Sequence, residues 1–513
     1  MLSDIYRLYH TVKFLKKEQI FYRLYYLLRG HYRRGFSLSP PLVKRVNSLY
    51  LLDLLPTIPA KKSYDQAGSF TFLNRTKNFE KIDWNFSEYG KLWTYNLTYF
   101  DFLLQEEMPK EEGIALMEDF INALATVRDG MEPFPISLRG INWIKFLSYH
   151  EIRHPKIEES LYAQYNQLMD HLEYHLLGNH LLENGFSLMF GAYYFRDKEL
   201  YTCAEKILLR ELNEQILSDG GHFERSPMYH QIMLFRLLDL INLLQHNPWK
   251  GSKHLPFFED KAQQMLGWLW AMGFDNGDIP LFYDSAEGIA PRTKELLAYA
   301  MRLDLTPCWQ TLGESGYRKI AEERYECVVS VGSIVADYIP GHAHADLFTF
   351  ELRVDHQPFI VDTGLSTYEV GPRRDLERST SAHNTVEVEG RNQSEVWGGF
   401  RVAKRASVVN VAEKEHWIEA THDGYAPVLH TRTWSFQPQR ITIVDRLSQK
   451  GVKGVARLHF HPRIIREDIL KVLSSTHEIH IEEYFYAPEF NILQPALRVS
   501  IPFEEHLEVE LSF

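Results

Sequence analysis

The spacing of apolar residues divides the chain into two parts. Between about residues 110 and 305, apolar residues recur three and four positions apart, and clusters of Gly, Pro or Asn separate the periodic segments. This period is typical of amphipathic helices. Successive helices with short connections and no strands between them predict a helical array or toroid. The segments with this period are 113–127, 161–177, 229–244, 262–273 and 295–303.

After about residue 320 the pattern changes to alternation of apolar and polar positions with many β-branched residues. Many short strands separated by turn residues predict an antiparallel β-sandwich. The change in composition falls between residues 310 and 325. We therefore expect an α+β multidomain chain with a basic helical lead-in at 1–80, a helical domain at 81–315 and a β-sandwich at 316–513, and a cleft where the two domains meet.

Composition and charge narrow the classes of partner. The chain has 513 residues, 45% of them hydrophobic, and a formal net charge of −12. This acidic balance argues against nucleic acid, whose binding rests on Lys and Arg neutralising phosphates. A polyanionic ligand would require a local basic cleft. No stretch approaches the ~20 apolar residues of a membrane span, and three distant cysteines cannot form a disulfide framework or a thiolate metal site. Nothing in the sequence fixes the oligomeric state.

The first 35 residues are basic and rich in Tyr, Phe and Leu. Arg7, Lys13, Lys16 and Lys17 interrupt every candidate apolar core of a secretory signal, so cytoplasmic residence is the expectation. A basic helix with interleaved aromatic and aliphatic residues is compatible with peripheral contact to a membrane surface. The alternative is a helix that packs on its own domain and presents a solvated charged face.

The strongest local motif is GHAHADLFTFEL at 341–352. On an extended strand His342 and His344 point to the same face. One of them can ligate a metal while the other serves as acid or base. His344, Asp362 and His383 together would form a two-His, one-carboxylate site suited to zinc. Surface histidines on an edge strand, and a metallohydrolase in which His342 joins the same metal, are the alternatives.

Two motifs in the helical part carry further candidates. Asn179 and His180 stand at a predicted helix start, where Asn is either a cap or a donor to an anionic group. In the segment 217–234, Tyr229 opens an amphipathic helix, and its hydroxyl could protonate a leaving oxygen if it is not simply a core residue. Glu224 is expected to orient neighbouring groups.

Other residues have the chemistry of a carbohydrate site. Tyr368 lies in a Gly/Pro/Ser-rich loop with Arg374 and Arg378, where a carboxylated or sulfated ligand could dock if the basic run is not merely solvated. A second group could stack on sugar rings or bond their hydroxyls and carboxylates, although a Trp-rich helix core would look similar. Its members are Trp93, Tyr95, Asn96, Arg139 and Asn142.

From about residue 90 to 465 the chain resembles the heparinase II/III-like polysaccharide lyases, a family that also includes oligoalginate lyases. The motifs that carry the resemblance are GNHLLENG, the DGGHFERSPMYH turn, GHAHAD, VDTG and R-S-T-x-x-H-N-T-V, in the family's order. The resemblance implies an N-terminal (α/α) toroid of helical hairpins followed by an antiparallel β-sandwich. It also implies β-elimination at a uronic acid, which removes the C5 proton and cleaves the C4–O bond.

The resemblance also assigns roles to residues. Asn179, with His180 beside it, would hold the substrate carboxylate. Tyr229 would be the acid and is also a candidate for the base, His342 would be the base or its partner, and Tyr368 is a second base candidate. His344, Asp362 and His383 would hold a structural zinc on the strand side of the cleft.

One departure and two alternatives remain at this stage. Family members that degrade external polysaccharide are secreted, whereas this chain shows no export signal, which suggests a role near intracellular oligosaccharides or polysaccharide assembly. A glycoside hydrolase would need two carboxylates across the scissile bond, for which Glu183, Glu224 and Asp284 are available. A glycan-binding protein without turnover would keep the fold alone.

Overall fold

A computed structural model describes residues 2–35, 49–65, 68–251 and 253–513. Residues 36–48 of the predicted lead-in therefore lie outside the described residues. Two short 3-10 helices, Asp101–Leu104 and Thr380–Ala382, accompany the regular elements. The α-helices of the described residues are α1 Leu2–Val12, α2 Lys17–Gly35, α3 Lys91–Tyr99, α4 Lys110–Ala123, α5 Pro133–Tyr149, α6 Pro155–Asp170, α7 Gly178–Phe195, α8 Lys198–Gln215, α9 Pro227–His246, α10 Leu255–Met272, α11 Thr293–Arg302, α12 Pro372–Glu377 and α13 Arg466–Val472.

The strands lie mostly in the second part of the chain, and every pairing between them is antiparallel. They are β1 Tyr64–Asp65, β2 Ser69–Phe72, β3 Arg75–Asn78, β4 Tyr317–Ala321, β5 Tyr325–Ser330, β6 Phe350–Val354, β7 Gln357–Ile360, β8 Val386–Val388, β9 Val396–Trp397, β10 Arg401–Val402, β11 Val408–Lys414, β12 Trp417–Tyr425, β13 Val428–Gln437, β14 Arg440–Leu447, β15 Lys453–His459, β16 Leu473–Ser475, β17 His480–Tyr486, β18 Gln494–Glu504 and β19 His506–Ser512.

The helices of the first part share one hydrophobic core, which extends from Leu52 to Tyr338. Helix α7 is buried on nearly every side and packs against α5, α8 and α9. Capping residues fix where the flanking helices begin. The side chain of Asp197 accepts hydrogen bonds from the backbone N–H groups of Glu199 and Leu200 at the start of α8.

The second part contains three larger sheets. Their strand orders are β4-β5-β6-β7, β17-β18-β15-β8 and β11-β12-β13-β14-β19-β16. Apolar side chains from all three sheets, including Val329, Trp434 and Val499, form one buried cluster. Alternation of inward and outward residues, clear along β12 and β14, produces this common core.

The two parts meet through specific contacts. Trp268 and Met272 of α10 pack in one cluster with Tyr317 of β4. The guanidinium of Arg225, just before α9, is fully buried and donates to the carbonyl oxygen of Ser333 at 2.8 Å. An arginine from the helical part thus donates to backbone of the strand part.

The prediction of helices followed by antiparallel strands is confirmed. The prediction of a helix over 161–177 is wrong in part, because α6 ends at Asp170 and the next helix, α7, begins only at Gly178. GHAHAD is not a strand but a connection between β5 and β6, and the short strands β1–β3 were not predicted. The domain boundaries at 80/81 and 315/316 stay predictions. Within the described ranges no helix has the length and hydropathy needed to cross a membrane.

Candidate active site

A buried carboxylate, Asp284, stands at the centre of the site. It lies between α10 and α11 and accepts hydrogen bonds from His342 Nδ1 at 2.9 Å, His344 Nε2 at 2.8 Å and Arg374 Nη2 at 2.7 Å. Burial by itself would raise the pKa of Asp284, but Arg374 and the two imidazoles hold it well below its ordinary value. An ionised Asp284 therefore fixes both histidines of the His-x-His motif.

His342 lies against two tyrosines. Its ring stacks on that of Tyr229 with 3.8 Å between ring centroids, and the hydroxyl oxygens of Tyr229 and Tyr368 are 3.2 Å apart. In the neutral imidazole, a proton on Nδ1 that is donated to Asp284 leaves the lone pair of His342 on Nε2. The site thus brings one imidazole nitrogen and two phenols together from three separate segments.

The chain positions Tyr229 through a helix cap. Ser226 precedes Pro227, the first residue of α9, and its hydroxyl accepts a hydrogen bond from the backbone N–H of Tyr229 at 3.2 Å. The same hydroxyl donates to the carbonyl oxygen of Asp284 at 2.8 Å. Burial raises the pKa of Tyr229, so its phenol is neutral near pH 7 and can donate a proton.

Asn179 is positioned by Glu224. The Asn179 amide Nδ2 donates to Glu224 Oε1 at 2.8 Å, and Glu224 Oε2 lies 3.5 Å from His342 Nε2. That second oxygen is buried without a hydrogen-bond partner. Gly178 has φ +59°, and a Cβ there would lie 3.3 Å from Glu224 Oε1, so glycine allows the close approach.

His180 is half-buried and faces a second carboxylate. Its Nδ1 lies 3.1 Å from Glu173 Oε1, while Glu173 Oε2 accepts from the Asn184 amide at 3.0 Å. Burial would lower the pKa of His180, but Glu173 more than offsets this and raises it. Phe134 lies beside the imidazole, 4.9 Å between ring centroids. The result is an imidazole whose charged form is favoured, next to an aromatic ring.

The predicted metal ligands are all buried and lie next to one another. His383 Nδ1 lies 2.8 Å from Asp362 Oδ2, and the rings of His344 and His383 have centroids 5.3 Å apart. His344 Nδ1, His383 Nε2 and both carboxylate oxygens of Asp346 are buried without hydrogen-bond partners. Burial lowers the pKa of His344 to about 3, so its ring is neutral. Burial would lower the pKa of His383, but Asp362 more than offsets this and raises it. The pocket therefore offers one neutral imidazole nitrogen, on His344, and a second nitrogen, His383 Nε2, which a metal would bind on displacing its proton.

A different trio of residues has the tighter spacing. Possible ligand atoms of Asp275, Glu326 and His356 all lie within 4.8 Å of one another, whereas those of the predicted ligand set do not. Lys319 Nζ already lies 2.7 Å from Glu326 Oε1. We assign no ligand to this trio.

The structure corrects five of the predicted substrate contacts. Trp93, Arg139, Asn142, Arg374 and Arg378 are all at most 1% exposed. Their polar groups bond other parts of the protein. Trp93 donates to the Arg75 carbonyl, Arg139 to the Thr98 and Gly130 carbonyls, and Asn142 to the Tyr99 carbonyl. Arg374 donates to Asp284, and Arg378 donates to the Ala343 carbonyl. Burial lowers the pKa of Arg139 to about 9. These side chains therefore stabilise the protein around the site and are not accessible to a ligand.

Tyr95 and Asn96 remain half-buried on α3. The Asn96 amide donates to the carbonyl oxygen of Leu92, one turn earlier. Tyr95 begins a series of neighbouring rings that continues through Tyr99 and Phe134 to His180. Aromatic faces of this kind are suited to stacking with sugar rings.

Sequence reasoning missed the roles of Asp284, Glu173 and Phe134. Asp284 was weighed only as a hydrolase carboxylate, and its bonds to Arg374 and two histidines leave it no proton to donate. Glu183, another carboxylate considered for that reaction, is 0% exposed and lies 2.9 Å from Arg236 Nε. The short segment around Asp284 has no helical or strand periodicity. The sequence signal for its role was therefore limited to an aspartate in an otherwise apolar run.

Models of known families match the chain over both parts. Heparinase II/III N-terminus matches residues 138–304, and Heparinase II/III-like, C-terminal matches residues 305–505. This chain belongs to the heparinase II/III-like family. The matched ranges include every residue around Asp284 described above.

Individual relatives of this heparinase II/III-like protein are distant. A heparin-sulfate lyase of Bacteroides stercoris is 23% identical over 317 residues, 56% of this chain and 46% of the relative. The chain thus spans about half the length of that curated relative. The crystal structure of heparinase III superposes with a TM-score of 0.63 at 15% identity, covering 85% of this chain and 80% of the other. The heparan sulfate lyase HepC of Pedobacter heparinus gives 0.54 at 16% identity, covering 95% and 88%. These structures share the fold.

Proposed function

We propose that this protein is a polysaccharide lyase that cleaves a uronate-containing glycan by β-elimination. The observation that carries the proposal is the meeting of Tyr229, His342 and Tyr368, with Glu224 linking His342 to Asn179. Side chains from the helical and strand parts of the chain thus surround one site, as this reaction requires.

The first requirement is to neutralise the substrate carboxylate. The Asn179 amide and the imidazolium of His180 supply donors for it at the start of α7. Neutralising the carboxylate makes the C5 proton more acidic, and preorganised donors stabilise the developing enolate. Glu173 favours the charged form of His180 and therefore supports this role.

The second requirement is a base for the C5 proton and an acid for the leaving oxygen. His342 Nε2 accepts the C5 proton, the C5–H electrons form the C4–C5 double bond, and the C4–O bond breaks. The neutral phenol of Tyr229 gives its proton to the leaving oxygen. Each positioned transfer contributes typically ~10²–10⁴ in rate. Tyr368, 3.2 Å from the Tyr229 hydroxyl, can return the proton to Tyr229 or act as an alternative base.

We also propose that His344, Asp362 and His383 hold a structural zinc. The unpartnered His344 Nδ1 and His383 Nε2 support this, because Asp284 and Asp362 bond the opposite ring nitrogens. When bound, the metal would supply cross-linking of the strand-side wall. Asp346 interacts electrostatically with His383 and offers a further carboxylate.

The finer architecture belongs to the same proposal. Helical hairpins α3 to α11 would form an (α/α) toroid, and the sheets after Tyr317 a β-sandwich, with the cleft between them. The shared helical core and the common core of the sheets support this arrangement.

For the substrate we propose an acidic polysaccharide or oligosaccharide of the glycosaminoglycan class. Its support is the family and the relatives named for heparin and heparan sulfate. The net charge of −12 leaves no general attraction for polyanions, so selection would rest on the donors around His180. A nucleic acid partner is not part of the proposal.

The test is incubation with heparan sulfate, hyaluronan, chondroitin sulfate, alginate and bacterial capsular glycans. A lyase product absorbs in the ultraviolet through its unsaturated uronate, whereas a hydrolase product does not. We expect absorbance to rise with at least one uronate polymer and to stay flat with Tyr229→Phe. Shortened products without absorbance would favour the hydrolase, and binding without shortening would favour a glycan-binding protein.

A further inference from the structure

The two N-terminal helices contact the rest of the protein through their polar sides. In α2, residues at helical spacing face the protein through polar contacts. The Gln19 amide donates to the Tyr338 carbonyl at 3.2 Å, the Tyr26 hydroxyl to the Leu172 carbonyl at 2.6 Å, and Arg29 Nη1 lies 3.1 Å from Asp170. The inward face of a docked helix is normally apolar, so this helix directs its apolar face elsewhere.

Helix α1 repeats the arrangement. Arg7 Nε lies 2.7 Å from Glu395, and the Trp397 indole donates to the Thr11 hydroxyl at 3.2 Å. Residues between these anchors point outward. Both helices are therefore fastened to the protein by their polar sides.

The outward surface of the two helices is apolar, and we call it the N-terminal apolar face. Twelve large hydrophobic side chains there are each at least 40% exposed. They are Ile5, Tyr6, Leu8, Tyr9, Val12, Ile20, Phe21, Leu24, Tyr25, Leu27, Leu28 and Tyr32. A cluster of this extent on a protein surface marks an interaction site, whereas isolated exposed apolar residues need no explanation.

Cations border this face. Lys13, Lys17 and Arg23 are exposed on or between the same helices. Partial burial of the Arg23 side chain, and then the neighbouring charge of Arg401, lower the pKa of Arg23. Two guanidinium groups that repel each other favour an anionic partner. The face therefore combines apolar area, several tyrosines and a positive edge.

We infer that the N-terminal apolar face binds the surface of a membrane containing anionic phospholipid. Apolar side chains would enter the region between headgroups and acyl chains, tyrosines would lie at headgroup level, and the cations would meet lipid phosphates. A second copy of the chain fits less well, because self-pairing through one face would bring Lys13, Lys17 and Arg23 against the same cations. The inference does not depend on the proposed lyase activity.

Flotation of the full chain with vesicles tests this inference. Two vesicle types are used, phosphatidylethanolamine with phosphatidylglycerol and phosphatidylcholine alone, together with a sample that contains no vesicles. The variant Leu24→Glu/Leu28→Glu places charges on the face at residues 57% and 65% exposed. The matched control, Met301→Glu/Leu470→Glu, adds the same charges at residues 73% and 56% exposed elsewhere. Circular dichroism and thermal melting verify that both variants are folded.

We expect the native chain and the control to float with anionic vesicles. The Leu24→Glu/Leu28→Glu variant should bind at least about tenfold more weakly, and so should the native chain with phosphatidylcholine alone or in high salt. Absence of flotation with anionic vesicles overturns the inference. So does equal binding by the variant. A concentration-dependent dimer that the variant loses, seen by sedimentation without vesicle binding, would assign the face to a second copy.

Discussion

The Asp284 carboxylate and the His342 imidazole are joined at 2.9 Å, and the backbone N–H of Asp284 donates to the His342 carbonyl at 3.2 Å. One residue precedes α11 in the helical part, and the other lies between β5 and β6. The proposed base is therefore oriented by a residue from the other part of the chain. The same contacts therefore orient the proposed base and join the two parts of the chain.

Replacing the two members of this pair should give different results. His342→Ala should lower kcat by about 10²–10⁴, because it removes a proton acceptor, and should lower the melting temperature less than Asp284→Asn does, because it leaves the Asp284–Arg374 ion pair in place. Asp284→Asn should lower kcat and also destabilise the protein by about 3–5 kcal/mol, since Arg374 then keeps a buried charge without a counterion. Steady-state kinetics and thermal melting separate the two effects. A melting temperature unchanged in Asp284→Asn would contradict the central role assigned to this carboxylate.

Tyr229→Phe should reduce kcat by about 10²–10⁴ and leave KM within a few fold, because the phenol acts on the leaving oxygen in the transition state. Tyr201→Phe is the matched control, since its hydroxyl bonds Glu205 on α8 at 3.0 Å. Full activity in Tyr229→Phe would exclude this phenol as the acid.

The pH dependence of KM should report His180. Its pKa is raised in the folded protein, so the imidazolium that binds the substrate carboxylate persists to higher pH and is lost as pH rises through that value. Glu173→Gln removes the neighbouring charge and should move the rise of KM to lower pH. KM at pH 7 should increase by up to about tenfold, the effect of one pKa unit on the cationic fraction. An identical KM profile in the variant would argue against this role.

Metal analysis should find about one zinc per chain, and chelation should lower the melting temperature before activity declines. His344→Gln and His383→Gln should each lose the metal. Comparison of Asp346→Asn with Asp362→Asn identifies the carboxylate ligand by which variant is depleted. Activity abolished at once by chelation, with the fold intact, would instead support a catalytic metal.

Acid stability should depend on a buried group in the six-stranded sheet. Asp445 accepts hydrogen bonds from Arg432 and His430. Burial opposes ionisation, yet these partners hold the pKa of Asp445 well below its ordinary 3.8. Its contribution is therefore present above about pH 4 and lost as the pH falls further.

Two substitutions measure that contribution. Asp445→Asn should cost about 3–5 kcal/mol near neutral pH and flatten the acid limb of the unfolding curve. Glu510→Gln, which breaks an exposed pair with Arg440 at 3.3 Å, should cost less than about 1 kcal/mol. Equal effects of the two substitutions would contradict the assignment.

The order of elements could be read from the sequence because periodicity is a local property. Residues 229–244 repeat at the helical period and lie in α9, and 440–447 alternate and form β14. The motifs around Asn179, Tyr229 and His342 were also visible, since the first two stand at helix starts marked by Gly, Ser or Pro and the third contains a His-x-His pair.

Burial could not be read from local pattern. Trp93 and Arg139 have the residue types of a sugar site, yet surrounding helices enclose both, and their polar atoms bond backbone carbonyls. Whether an arginine faces a ligand or a carbonyl depends on distant segments, which periodicity does not record.

By itself the sequence determined the succession of helices and strands, the acidic charge and the residue types available for proton transfer, because these follow from neighbours along the chain. Only the tertiary structure decided that Asp284 joins His342, His344 and Arg374, that Glu224 holds Asn179, and that α1 and α2 turn their apolar sides outward. Each of these depends on contacts between residues far apart in sequence, and the free energy of burial and of ion pairing is set there.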